Sequence, residues 1–157
     1  MLNIELTPDM KVYIILLAAL ICVVVLVLIL RKFKTPRPPL VDELEGHDFE
    51  YYCADLLKMN GFAKVEVTKG SGDFGADILC ERNGITYAIQ CKCYDKDVGV
   101  HAVQEVYAAK DYYDRMVAAV LCNQYFTSPA AMMADKLNVM LWDRDYLDML
   151  HANCNGK

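Results

Sequence analysis

The sequence predicts an α/β fold: a mixed β-sheet flanked by helices, in the order αβββαβαβα, preceded by one transmembrane helix. Three observations carry that prediction. Residues 12–30, "VYIILLAALICVVVLVLIL", contain no charged residue. Asn83-Gly84 separates two strand-like runs, "ADILCER" and "ITYAIQCKCY". Asn-Gly in that setting signals a tight hairpin, because both turn residues take positive φ. Beyond the hairpin, helical and strand-like runs alternate, the pattern of a sheet with helices packed on it.

The apolar run comes first. At ~1.5 Å rise per helical residue it spans a hydrocarbon core of ~30 Å. A buried core helix seldom runs so long without a polar face. A cleaved signal peptide fits poorly: Glu5 and Asp9 precede the run against Lys11 alone, and no small-residue cleavage site follows. Arg31, Lys32, Lys34 and Arg37 crowd its C-terminal side. The positive-inside rule then makes residues 1–11 a short extracytoplasmic N-terminus and places the remainder in the cytoplasm. The expectation is a single-pass protein of the inner or plasma membrane, with the lipid bilayer as a partner. Residues 31–42 form a basic, Pro-rich linker stiffened by Pro36, Pro38 and Pro39. The soluble domain is 43–157.

Within that domain, Phe49, Tyr52, Cys53, Leu56 and Leu57 recur at helical spacing and predict a helix over 44–59, ended by Gly61. "AKVEVTKG" reads as a strand, and the two hairpin strands follow. "VHAVQEVYAAKDYY" reads as a helix and "MVAAVLC" as a strand. Ser128 and Pro129 suit the N-cap and first position of the helix "PAAMMADKLN". "VMLW" is the last strand, and Asp143 opens a closing helix.

Charge and cysteines narrow the function. Residues 1–37 carry a net +3 and the whole chain −5, which leaves −8 on residues 38–157. Such a domain does not coat itself in nucleic acid, so any DNA contact is local. Seven cysteines include no C-x-x-C pair. Cys91, Cys93 and His101 lack the spacing of a zinc module, and thiols acting as small hydrophobes in a reducing compartment account for the set.

"KGSGDFGADILC" contains Gly70, Gly72 and Gly75 as G-x-G-x-x-G. A pyrophosphate loop must follow a strand and open a helix, so that the helix N-terminus faces the phosphate. This loop leads into a strand and a hairpin instead, which argues against nucleotide binding. With Asn83-Gly84 as a two-residue turn, Arg82 pairs with Ile85 and Glu81 with Thr86. Asp77 then falls opposite Gln90, with Lys92 on the same face and Gly75 across from Lys92. The other face carries Ile78, Cys80, Tyr87, Ile89 and Cys91 for the core. An Asp carboxylate and a Gln carbonyl oxygen are hard ligands suited to Mg²⁺. A Lys beside them positions water and stabilises charge on a phosphate. The same residues on a solvated strand face would be a weak surface ion pair.

"GSGDFGADIL" followed by "YAIQCK" resembles the Mrr-type restriction endonucleases of the PD-(D/E)XK nuclease superfamily. The resemblance runs from "FEYYCADLL" through "VEVTKGSGDFGADI", "YAIQCK" and "AVQEVYAAK" to "LWDRDYL". It implies a restriction-endonuclease-like fold with an αβββαβ core over 43–157. It assigns Asp77 as the metal-binding Asp, and Gln90 and Lys92 as the (D/E)-x-K pair with Gln in place of the acid. Glu50 on the first helix matches a further acidic residue, and matters more because Gln90 is neutral. The implied activity is type IV restriction-like, Mg²⁺-dependent (or Mn²⁺-dependent) hydrolysis of a DNA phosphodiester. Asp77, Gln90, Glu50 and the main-chain carbonyl of Cys91 hold the ion, and Lys92 orients and deprotonates the attacking water. DNA is the implied partner, and two-strand cleavage implies a homodimer.

Asp73, in the glycine loop, and Gln104, on the following helix, are lesser candidates. His47 and Lys64, Lys69, Lys96 and Lys110 read as solvated surface, while Tyr112, Tyr113 and Trp142 read as packing or covering the core. Two other classes stay open: a nuclease fold that binds or senses DNA without cutting it, and a membrane-assembly protein working through the helix at 12–30.

Overall fold

The structure, a computed structural model, describes residues 17–24, 41–69 and 74–155. The chain divides into two compact units, Met1–Pro36 and Arg37–Lys157. In the first unit, residues 17–24 are helical and all exposed. Among the described residues no helix is long and apolar enough to cross a membrane. The rest of the predicted span, the segment 1–11 and the linker as far as residue 40 lie outside the described residues.

The second unit is built around the hairpin. Asn83 and Gly84 take φ of 53° and 80°, the left-handed pair that a two-residue turn between twisted strands requires. They join β2 (Ile78–Arg82) to β3 (Ile85–Lys92). The register is the expected one, from Arg82 opposite Ile85 to Ile78 opposite Ile89. β1 (Ala63–Val67) adds antiparallel to β2. β4 (Val117–Cys122) and β5 (Met140–Trp142) extend the other side in parallel, giving the order β1-β2-β3-β4-β5. The helices are α1 (Gly46–Met59), α2 (Val100–Tyr112), α3 (Ser128–Leu137) and α4 (Arg144–Asn155). Within this unit the order of helices and strands is the expected αβββαβαβα, with a short 3-10 turn over Val41–Glu43 ahead of it.

Alternation along the strands makes two cores. Ile78, Cys80, Ile89, Cys91, Ala119 and Leu121 face α1 and α4, with Phe49, Leu57 and Trp142 among their neighbours. Leu79, Ala88, Ala118, Val120 and Cys122 face α2 and α3. A strand covered on both faces reads as a continuous apolar run, which "MVAAVLC" is. Val41, at the end of the predicted linker, is buried in the first core. Its neighbour Asp42 accepts a hydrogen bond from the buried Arg144 at 2.7 Å, and Arg144 also binds Asp148 at 2.9 Å.

One of two caps differs in detail. Thr127, not Ser128, caps α3: its backbone is extended and its hydroxyl accepts from the Ala130 N–H at 3.3 Å. Asp143 caps α4 as expected, its carboxylate accepting from the N–H groups of Asp145 and Tyr146.

Candidate active site

Asp77 lies one residue ahead of β2. Its N–H donates to the Ile89 carbonyl at 2.8 Å and its carbonyl accepts from Thr68 N–H at 2.9 Å, so its backbone continues the ladder on both sides. Its side chain then takes over where the ladder stops. Oδ2 accepts from the Gln90 amide and, at 2.6 Å, from the Cys91 N–H. Asp77 is 4% exposed and Gln90 5%. A carboxylate so far from water needs charge-assisted hydrogen bonds of this kind. Lys92, two residues along the same strand, turns to the same face, and its Nζ meets the Glu105 carboxylate of α2 at 2.9 Å. Phe74, Gly75, Gln90, Lys92, Glu105 and Ala108 line an opening of about 260 Å³. A buried acid and amide therefore stand beside a cation at the end of a hairpin, on a mixed sheet sandwiched by helices.

A family model described as a restriction endonuclease, Mrr_cat, matches residues 41–150. The chain belongs to this restriction endonuclease family. Among solved structures, the fold is similar to the protein of unknown function AF1548, with a TM-score of 0.57 and 19% identity over 66% of this chain. It is also similar to the DNA modification-dependent restriction endonuclease AspBHI, with a TM-score of 0.53 and 17% identity over 70% of this chain. The chain accounts for 64% of the first and 31% of the second. At those identities the likeness speaks for the fold. No curated protein matches the chain.

In this restriction-endonuclease domain the Asp77–Gln90 contact falls where the hairpin register put it. The Cys91 N–H faces Asp77, and strand geometry turns the Cys91 carbonyl to the same edge. A hydrogen bond with Cys53, burial and the nearby charges of Asp77 and Glu50 push the Cys91 thiol well above the usual thiol range. Glu50 comes from α1, on the opposite face of the sheet from Gln90. It is half-buried and hydrogen-bonds His47 at 2.8 Å. Its charge reaches Cys91.

Asp73 lies outside the described residues. Gln104 is exposed, and the neighbouring Glu105 is the α2 residue that reaches Lys92. Gly75 does share the opening with Lys92, but its missing side chain faces the backbone of Glu105. Glu105 and Phe74 had not been singled out from the sequence. Trp142 packs in the core as expected, whereas Tyr112 is 57% exposed and stacks on Phe74.

The donor set fits a hard divalent ion. Asp77, the Gln90 side chain and the Cys91 carbonyl offer oxygens at one edge, while the Glu50 carboxylate is paired with His47 on α1. Among the described residues no group of three or more His, Cys, Asp and Glu side chains is arranged to hold a metal ion. The set here relies on an amide and a main-chain carbonyl instead. Gln90 presents its NH₂ to Asp77, so ligation through its carbonyl oxygen turns the amide over, an exchange that leaves the side-chain shape unchanged. Burial pulls Lys92 down, but the hydrogen bond and charge of Glu105, with Tyr94 and Asp77, outweigh it and leave its pKa raised. Lys92 is therefore an ammonium at neutral pH, and a role as proton acceptor does not suit it in this state.

Proposed function

We propose that this restriction-endonuclease domain is a membrane-anchored, Mg²⁺-dependent DNA endonuclease of the Mrr-like, type IV kind. The observation that carries the reading is the buried Asp77–Gln90 contact with Lys92 beside it, at the mouth of an opening in a restriction-endonuclease fold. When bound, Mg²⁺ or Mn²⁺ supplies Lewis-acid stabilisation of charge on the scissile phosphate. Asp77, Gln90, Glu50 and the Cys91 carbonyl would hold it. Asp77 is itself held by the Cys91 N–H, so the ligand does not have to reorganise during the reaction. Lys92 donates from its ammonium group to the phosphate oxygen or to the water beside it, and in doing so exchanges Glu105 for the substrate.

Residues 12–30 serve as the anchor in this proposal. Its support is the uncharged run, the basic flank at 31–37 and the exposed apolar helix at 17–24. A second copy of the chain supplies the second cut in duplex DNA.

The test is plasmid cleavage by the full chain in detergent, with Mg²⁺, Mn²⁺ or EDTA, on modified and unmodified DNA. Metal-dependent nicking or linearisation is expected. Lys92→Ala is expected to lower it by about a hundredfold or more with DNA binding retained. Binding without cleavage by the wild-type chain would point instead to a DNA-sensing module on a nuclease fold.

A further inference from the structure

Two large rings stand in water at the lip of the opening. Phe74 and Tyr112 are each 57% exposed. They stack with centroids 4.0 Å apart and planes 26° from parallel. The ring of Tyr113, packed against the second core, meets Tyr112 edge-on at 4.9 Å and 88°. The pair is thus preformed and buttressed. Phe74 also lines the opening that holds Gln90 and Lys92, so the rings continue the candidate catalytic surface.

The backbone singles out Phe74 as well. Its φ is 50°, in the left-handed region that a bulky residue adopts only at a cost. A position needed merely to turn the chain would take Gly or Asn there. Solubility does not call for two exposed rings either. Bases inside a duplex stack on each other and show only their edges, so a flat ring surface is open to a base only once that base has left the stack. Stacking binds without charge, which suits a domain carrying −8 over residues 38–157 once the +3 of residues 1–37 is set against the chain's −5.

We propose that Phe74 and Tyr112 form a stacking platform for a nucleobase displaced from the helix beside the scissile phosphate, so that DNA with an unpaired or easily extruded nucleotide is the preferred substrate. This rests on the nuclease reading above. The competing role is mechanical: the two rings could simply pin the glycine loop to α2. Leucine separates the two, because it keeps apolar bulk and removes the π face.

The experiment uses the full chain in detergent micelles with EDTA to prevent cleavage. Its two probes are a perfect duplex and the same duplex with one bulged 2-aminopurine, followed by anisotropy and by quenching of 2-aminopurine emission on stacking. The wild-type chain is expected to bind the bulged DNA more tightly and to quench it. Phe74→Leu and Tyr112→Leu should lose about tenfold or more on bulged DNA, the worth of one stacked base. Their affinity for the perfect duplex should stay within about twofold of wild type, and Tyr112→Trp should retain both binding and quenching. Melting curves of each variant report folding separately. Equal losses on both DNAs, or no loss on either, would overturn the platform. If the wild-type chain cuts plasmid DNA but the leucine variants hold bulged DNA unchanged, the platform alone fails. If it neither binds nor cuts any DNA, the nuclease reading fails and the platform falls with it.

Discussion

Gly75, in the loop ahead of β2, sits close against α2, and Gly75→Ala tests that geometry directly. A Cβ built there would lie 2.7 Å from the Glu105 carbonyl oxygen, 2.9 Å from its carbonyl carbon and 3.1 Å from its Cβ. The first two are backbone atoms of a helix, so no rotamer change relieves them. Ordinary contact begins near 3.4 Å, which means loop and helix must part by the difference from 2.7 Å. Overpacking of this kind costs about 1–3 kcal/mol. The φ of +91° at Gly75 adds about 1–2 kcal/mol for any residue with a Cβ. The sum is a loss of about 2–5 kcal/mol, a large part of the stability of a small domain.

Urea unfolding followed by the fluorescence of Trp142, the single tryptophan and a buried one, measures it. With a slope of roughly 2 kcal/mol per molar, the midpoint should fall by about 1–2.5 M. Gly46→Ala is the control, since nothing lies within 4 Å of its Cβ position and its φ is not positive. It should stay within about 0.5 kcal/mol of wild type. A Gly75→Ala protein that unfolds at the wild-type midpoint would refute the close approach of Gly75 to α2, and with it the placement of Glu105 over Lys92.

Two further perturbations probe the ion pairs. Glu105→Gln removes a half-exposed partner of Lys92, so its stability cost is at most about 1 kcal/mol. Because Lys92 is raised in the folded state, that cost should be present below the unfolded lysine pKa of about 10.4. It should vanish as pH rises through the folded value and Lys92 loses its charge, which a pH series of unfolding curves checks. The same variant removes a negative charge where the proposed function would bring in a phosphate, and anisotropy should show DNA affinity rising roughly fourfold, the worth of one unit charge at about 5 Å in water. Arg144→Ala leaves Asp42 and Asp148 without their buried partner and should cost about 3 kcal/mol or more. Asp42→Asn should cost less, since Asp42 is 35% exposed; equal losses in urea unfolding would contradict the assignment of Arg144 as the buried centre of the network.

The fold was legible because one local signal fixed most of it. Asn83-Gly84 admits a two-residue turn, the turn sets the register, and the register sends Ile78, Cys80, Ile89 and Cys91 to one face and Leu79, Ala88 and Gln90 to the other. From there the Asp77–Gln90 contact follows by counting, since no tertiary information enters. The α3 cap slipped by one residue because Thr127 and Ser128 are both competent caps. Which one serves depends on where the chain leaves its extended conformation, and that is set by the Val98–Phe126 bridge and the Thr127 N–H bond to Val98.

The rim of the site was not legible, and the reason is the crossover. Glu105 and Tyr112 reach the hairpin only because α2 returns across the second face of the sheet. The rotation of α2 about its axis is fixed by the burial of Ala102, Val103, Val106 and Ala109. Those residues are small, so they mark the buried stripe weakly, and Gln104 and Glu105 look equivalent in sequence. Only Glu105 lies far enough round the helix to meet Lys92. Tyr112 follows about two turns later on the side that meets Phe74, at the end where α2 runs out of core to cover. Had α2 been rotated by one residue, the same sequence would have offered an amide to Lys92. The lysine would then have lost the carboxylate whose hydrogen bond and charge raise its pKa against burial. The ion-pair partner of Lys92 is therefore a property of helix packing, and a substitution in the buried stripe of α2 reaches the candidate site through Glu105.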